Sequence, residues 1–202
     1  MARSSATSTS PRRVRVRVPG VLQTERAECG AACLGMVLAH YRRFVSLDEL
    51  RIATGVSRDG ATARTLITGA VEYGLEATQT FCDLAELREM SAQLPLILHW
   101  RFTHFVVLEG WEPAGWRIND PEIGDFRIGD DAFSDAFTGQ VITLRPGVDF
   151  LPGGRRASLV SRLARAAGRI GPTVAAATAV AALLLIPMML VPQLMQQYGN
   201  EL

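Results

Sequence analysis

Apolar residues along the chain recur first at helical spacing and later at strand spacing. From Ala27 to Tyr41, the residues Cys29, Cys33, Met36 and Val37 fall at i, i+4, i+7 and i+8, which predicts one buried helix face. Ser46, with Glu49 three residues on, carries a capping-box signature and predicts a second helix. Ala61 to Tyr73 predicts a third, with Asp59 as its cap and Gly74 as its stop. Leu75 to Phe81 reads as a strand, and Asp83 starts a short helix ending near Met90. The pattern then changes. Pro95 to Trp100, Thr103 to Gly110 and Gly115 to Asn119 are short apolar runs bounded by turn residues and predict successive strands, with Phe126 to Ile128 as a fourth. Asp130 to Phe137 predicts a short helix and Gln140 to Leu144 a closing strand. Helices first and antiparallel strands second make an α+β fold, with N-terminal helices packed on a sheet. No internal repeat is present.

The two ends follow other patterns. Met1 to about Pro11 is rich in Ser, Thr and Ala and lacks the apolar stretch of a secretory signal. Arg12 to Arg17 alternates arginine with valine, as an edge strand or a basic arm would; the plain expectation for this end is a mobile tail. Phe150 to Arg156 is turn-rich and reads as a linker, so its Gly153-Gly154 pair is expected to supply flexibility and not a cleavage site. An arginine-studded amphipathic stretch follows from Leu159 to Ile170. Thr173 to Val191 is then apolar and free of charge, long enough at about 19 residues to cross a hydrocarbon layer of roughly 30 Å. Arg155, Arg156, Arg162, Arg165 and Arg169 precede it and no basic residue follows it, so the positive-inside rule puts the preceding domain in the cytoplasm, at the inner membrane. The competing reading is a hairpin of core helices, since Pro187 and Pro192 interrupt the run. The expected division is therefore a tail (1–13), a folded domain (14–146), a linker with the basic stretch (147–172), a transmembrane helix (173–191) and an extension (192–202).

Composition removes several classes of function. A formal net charge of +1 gives no electrostatic footprint for nucleic acid. Every basic residue other than histidine is arginine. A P-loop needs lysine, so this chain carries no ATP site of that kind and no cofactor is expected. Three cysteines, an odd number, argue against a disulfide framework and for a reducing compartment.

Gln23 stands six residues before Cys29, and Cys29 opens the first helical run. The partial positive charge of a helix N-terminus favours a thiolate, and a nearby side-chain amide can donate to a developing oxyanion. A solvated loop amide is the plain alternative for Gln23. Gly30 suggests room for a substrate backbone to approach. Cys33, one turn on, reads as core but competes for the nucleophile role, and Cys82 reads as structural. Among three histidines, His104 heads a strand, His99 lies on the strand before it, and His40 reads as a C-terminal helix cap. Asp120 or its neighbour Asn119 can orient an imidazole, although Asn-Asp-Pro is also an ordinary turn. Cys29 and Cys33 lack the further ligands of a zinc site, so no metal is expected. The order cysteine, histidine, acid or amide is that of papain-like peptidases.

Together these residues resemble the cysteine peptidase domain of bacteriocin-processing ABC transporters, from about Val14 to Leu144. Leu47-Asp48-Glu49-Leu50-Arg51, Gly55-Val56-Ser57-Arg58-Asp59-Gly60, Tyr73-Gly74-Leu75-Glu76-Ala77, His99-Trp100 and Phe137-Thr138-Gly139 also resemble that family, and match best the subgroup serving nitrile-hydratase-type leader peptides. The resemblance implies a papain-like fold with Cys29 as nucleophile, His104 as base, Asp120 as its orienting acid and Gln23 as oxyanion donor. It implies cleavage of a precursor peptide after a double-glycine leader, coupled to export, with permease and ATPase partners and a homodimer. In the resembled transporters further spans and an ATPase follow, so the chain is expected to be either a fragment or a short anchored peptidase. A non-catalytic leader-binding module is the alternative; it would have no need of Cys29.

Overall fold

The computed structural model describes residues 13–56, 60–155 and 174–184. Asp59, the amphipathic stretch from Leu159 to Ile170, the start of the tail and the extension lie outside the described residues. The chain divides into two compact units, Met1–Arg155 and Arg156–Leu202. In the second unit residues 174–184 form a helix with every residue exposed. Only this part of the expected span from Thr173 to Val191 is described, and among the described residues no helix is long and apolar enough to cross a membrane.

The first unit is an α+β domain. A seven-stranded antiparallel sheet is built from β1 (Val14–Arg15), β2 (Leu75–Phe81), β3 (Leu96–Trp100), β4 (His104–Glu112), β5 (Gly115–Asp120), β6 (Gly124–Ile128) and β7 (Phe137–Pro146), in the order β2-β7-β3-β4-β5-β6 with β1 beside β4. The helices are α1 (Cys29–His40), α2 (Leu47–Ala53), α3 (Ala63–Glu72), α4 (Leu84–Glu89) and α5 (Asp130–Ala136). Alternation along the central strands explains why they read as unbroken apolar runs: both faces are covered. Ile97, Phe105, Val107, Ile142 and Leu144 join the core under α1, α2 and α3. Leu96, Leu98, Val106, Leu108 and Val141 join a second core with Leu87 of α4, Phe133 of α5 and Trp116. Helices thus lie on both faces: the short helices predicted from Asp83 and from Asp130 cover the face opposite the N-terminal ones.

α1 is the central helix. Every residue from Cys29 to Ala39 is buried, because it lies over β4 and is flanked by α2 and α3. Ser46 caps α2 as expected, its Oγ accepting from the Glu49 N–H. α3 is capped by Thr62, in a reciprocal box with Thr65. The alternating Arg-Val segment is anchored: β1 pairs Val14 with Trp111 and Arg15 with Gly110. Gly110 has φ +141, and a Cβ there would collide with the Val14 carbonyl oxygen, so this pairing needs glycine. Inside the same corner Glu109, 1% exposed, accepts from Arg15, from the Val18 N–H and from Asn119 Nδ2. The Gly153-Gly154 pair is also docked. The Phe44 N–H donates to the Gly153 carbonyl at 2.8 Å, and the Gly153 N–H donates to the Arg42 carbonyl at 3.1 Å.

Candidate active site

Three element ends meet at one edge of the sheet. Cys29 is the first residue of α1, His104 the first of β4 and Asp120 the last of β5. The helix reaches the strand because α1 packs along β4. The antiparallel register, with Val107 opposite Asn119, makes His104 a diagonal neighbour of Asp120. His104 Nε2 lies 2.8 Å from Asp120 Oδ1, and Cys29 stands close enough to the imidazole to support its protonated form. Asp120 Oδ1 further accepts the Glu122 N–H at 2.8 Å, so the acid closes the turn after β5 while holding the ring.

The charges are mutually supporting. Burial alone would pull the His104 pKa down. The hydrogen bonds to Asp120 and Cys29, and the negative charge they bring, outweigh burial and push it up to about 9. Burial likewise opposes the Asp120 carboxylate, but its bonds to His104 and to the Glu122 and Ile123 N–H groups hold its pKa below the ordinary carboxylate value. The arrangement suits a thiolate–imidazolium pair with an ionised acid behind it.

The competing residues are placed elsewhere. Cys33 is fully buried and its Sγ donates to the Phe105 carbonyl at 3.2 Å. Burial, then the nearby Cys29 and Asp120, push its pKa well up, so it is a protonated core thiol. Asn119 points away from His104, as strand alternation requires, and donates to the Val18 carbonyl and to Glu109 at 3.2 Å each. His99 Nδ1 lies 3.1 Å from Thr138 Oγ1, and burial pulls its pKa down despite a hydrogen bond to the Phe102 backbone. His99 lines an open cleft of about 420 Å³ with Ala61, Arg64, Phe102, Thr103 and Phe105, beside His104. His40 is not simply a helix cap: its Nδ1 lies 3.1 Å from the Arg17 carbonyl, tying α1 to the segment after β1. Cys82 is half-buried next to the cap of α4, and burial followed by Glu86 and Asp83 pushes its pKa up to about 11. Among the described residues no group of three or more His, Cys, Asp or Glu is arranged to hold a metal.

One expectation and one competing reading change. Gly30 does not open space for a substrate: a Cβ there would sit 2.9 Å from Ala61 Cβ and 3.0 Å from Leu66 Cδ2, so the glycine admits the start of α3 against α1. Gln23 is no solvated loop amide. Its backbone N–H donates to the Pro121 carbonyl at 2.9 Å, beside Asp120, and its Oε1 is buried with no hydrogen-bond partner among the described residues. Two polar residues escaped the sequence reading. Glu109 is a lone acid inside an apolar strand, and Glu28 stands between Gln23 and Cys29; each is 2% exposed or less.

Similarity to known proteins covers these same elements. The chain is 37% identical over 139 residues, 69% of its length, to the probable microcin-H47 secretion/processing ATP-binding protein of Escherichia coli. It is 37% identical over 134 residues, 66% of its length, to the colicin V secretion/processing ATP-binding protein of Escherichia coli. It spans 20% and 19% of those two proteins. The crystal structure of a double glycine motif protease from an AMS/PCAT transporter, in complex with the leader peptide, superposes with a TM-score of 0.62 at 41% identity, covering 66% of this chain and 95% of that one. The peptidase domain of Streptococcus ComA superposes with a TM-score of 0.60 at 27% identity, covering 63% and 97%. The match to the family runs over residues 17–149, through every element that brings Cys29, His104 and Asp120 to one edge of the sheet, and so the chain belongs to the Peptidase C39 family of cysteine peptidases.

Proposed function

We propose that the domain removes the leader of a ribosomally made precursor peptide at a double-glycine junction, with Cys29, His104, Asp120 and Gln23 as its machinery. The observation that carries this is the contact between His104 and Asp120 at 2.8 Å with Cys29 beside the same ring. In the proposed cycle the Cys29 thiolate attacks the carbonyl carbon of the second glycine. Gln23 donates to the oxygen as it becomes an oxyanion. His104 gives its proton to the leaving nitrogen, so the C–N bond breaks and a thioester remains. The neutral imidazole then takes a proton from water, the hydroxide adds to the thioester, and the thiolate leaves. Asp120 keeps the ring oriented through both halves. No cofactor takes part. Small residues at the cut suit a cleft that tolerates no side chain there.

The relatives' roles in secretion and processing, and their ATP-binding parts, support a wider setting of export with permease and ATPase partners; the resemblance in sequence points to a leader of the nitrile-hydratase type as substrate. A homodimer, and an inner-membrane location with the peptidase facing the cytoplasm, complete the proposal. Residues 173–191 would be the span, supported by their lack of charge and by the arginines before them. The test is cleavage of a synthetic precursor followed by mass spectrometry. One cut after Gly-Gly is expected from the natural chain. Cys29→Ala should lose several orders of magnitude in rate, and Cys33→Ala should stay within a few-fold. Full activity in Cys29→Ala would refute the reading.

A further inference from the structure

The loop that carries Gln23 is fastened by a buried carboxylate that the cycle above does not use. Glu28 directly precedes Cys29 and is 2% exposed. Its Oε2 accepts the backbone N–H of Thr24 at 2.7 Å and of Glu25 at 2.9 Å, the two residues that follow Gln23. Its Oε1 lies 3.0 Å from Arg51 Nη1 of α2. A buried carboxylate without partners is strongly destabilising, and here two backbone donors and a guanidinium supply them. On its other side the loop is tied by the Gln23 N–H to the Pro121 carbonyl. Gln23 is therefore suspended between the start of α1, which bears Cys29, and the end of β5, which bears Asp120.

The Gln23 side chain does not fix itself, since its Oε1 is buried with no hydrogen-bond partner among the described residues. Its place is set through the backbone. An oxyanion donor acts only where it is held in advance, and a misplacement of about 1 Å costs roughly 10²-fold in rate. We propose that Glu28, paired with Arg51, is a positioning residue for oxyanion stabilisation: its carboxylate holds the Thr24 and Glu25 N–H groups and so sets Gln23 relative to Cys29. This rests on the reading of Cys29 as nucleophile and Gln23 as oxyanion donor.

The test is a double-variant cycle on the full chain, with a Gly-Gly precursor peptide as substrate. Gln23→Ala should lower kcat by roughly 10²- to 10³-fold. Glu28→Gln keeps the shape but loses the charge; it should lower kcat by about tenfold or more while KM moves less than about twofold. In the Gln23→Ala background Glu28→Gln should cost less than about a further twofold, because the group it positions is gone. The initial rate at which iodoacetamide labels Cys29 should not fall in Glu28→Gln, whereas a merely structural role would lower labelling and turnover together. Wild-type kcat in Glu28→Gln, or losses that multiply in the double variant, would overturn the proposal. Wild-type kcat in Gln23→Ala instead removes the oxyanion reading beneath it, so the two failures are told apart by different single variants. If Glu28→Gln does not fold, Arg51→Met, at a partly exposed position, replaces it. It must show a loss in kcat of about threefold or more that vanishes in the Gln23→Ala background, and unchanged turnover there overturns the proposal equally.

Discussion

At the scale of single residues the site is a question of which neighbour faces the imidazole. Asn119 and Asp120 are adjacent, yet only the acid reaches His104, because successive strand residues point to opposite faces. The two therefore differ in what their loss does. The His104 pKa is raised from an ordinary 6.5 to about 9 in the fold. Its protonated form is thus the one that folding favours. The stability it contributes is complete below about pH 6.5 and disappears as pH rises through about 9. Turnover that uses the imidazolium as acid should follow the same limb, with kcat/KM falling as pH rises through about 9. Asp120→Asn removes a charge that holds the proton on the ring, so that limb should move to lower pH. Asn119→Ala should lower stability through the Glu109 cluster and leave the limb in place; His99→Ala, outside that cluster, should leave the limb in place too. A pH–rate profile for each variant decides this. A shift in His99→Ala with none in Asp120→Asn would mean that the wrong ring had been assigned.

At the scale of elements, local chemistry and long-range pairing contribute separately. Gly110→Ala places a methyl group on the Val14 carbonyl oxygen at a positive φ. It should cost roughly 1–3 kcal/mol in urea unfolding, with β1 released from β4. An unchanged midpoint would mean that β1 adds nothing to the fold. The helices and the central strands were legible in the sequence because their signals are local: the spacing of Cys29, Cys33, Met36 and Val37, the Ser46 cap, and the apolar runs from Leu96 to Ile118. Cys29, His104 and Asp120 were legible mainly through family resemblance, since chain order alone left Cys33, His99 and Asn119 in contention. What the sequence left open depends on partners far along the chain. The Arg-Val segment becomes β1 only because β4 offers it an edge beside Gly110. β7 begins at Phe137, before the residues that predicted it, because Trp100 of β3 pairs with Phe137 and the N–H of Cys82, just after β2, donates to the Gly139 carbonyl. Gly30 meets α3 for the same kind of reason. Glu28 had a local signal in its spacing from Glu25, and both members of that capping box are made, but its burial depends on Arg51 from another helix.

At the scale of the whole molecule two proposals concern the chain beyond the site. If residues 173–191 span a membrane with the peptidase in the cytoplasm, protease added to sealed right-side-out vesicles should leave the domain intact, and added to inverted vesicles should digest it. Recovery of the full chain in the soluble fraction would count against the span. The second concerns the chain's own Gly153-Gly154, which offers the dipeptide that the peptidase is proposed to cut. It is held at the far end of α1: Phe44 and Arg42, its backbone partners, follow the helix whose first residue is Cys29. A helix of 12 residues is about 18 Å long. The pair therefore cannot reach the Cys29 of its own domain without losing both backbone bonds to Arg42 and Phe44. Gly154 is further constrained, with φ +80 and its Cβ position against the Phe44 carbonyl. A peptide bond enters a protease cleft only when its backbone is free to extend, so this docking protects the junction even from a second copy of the enzyme. Prolonged incubation of the full chain, at concentrations that cleave a Gly-Gly precursor to completion, should leave its mass unchanged. A fragment beginning at Arg155 that appears with the natural chain and not with Cys29→Ala would show that the docked pair opens and is a substrate after all.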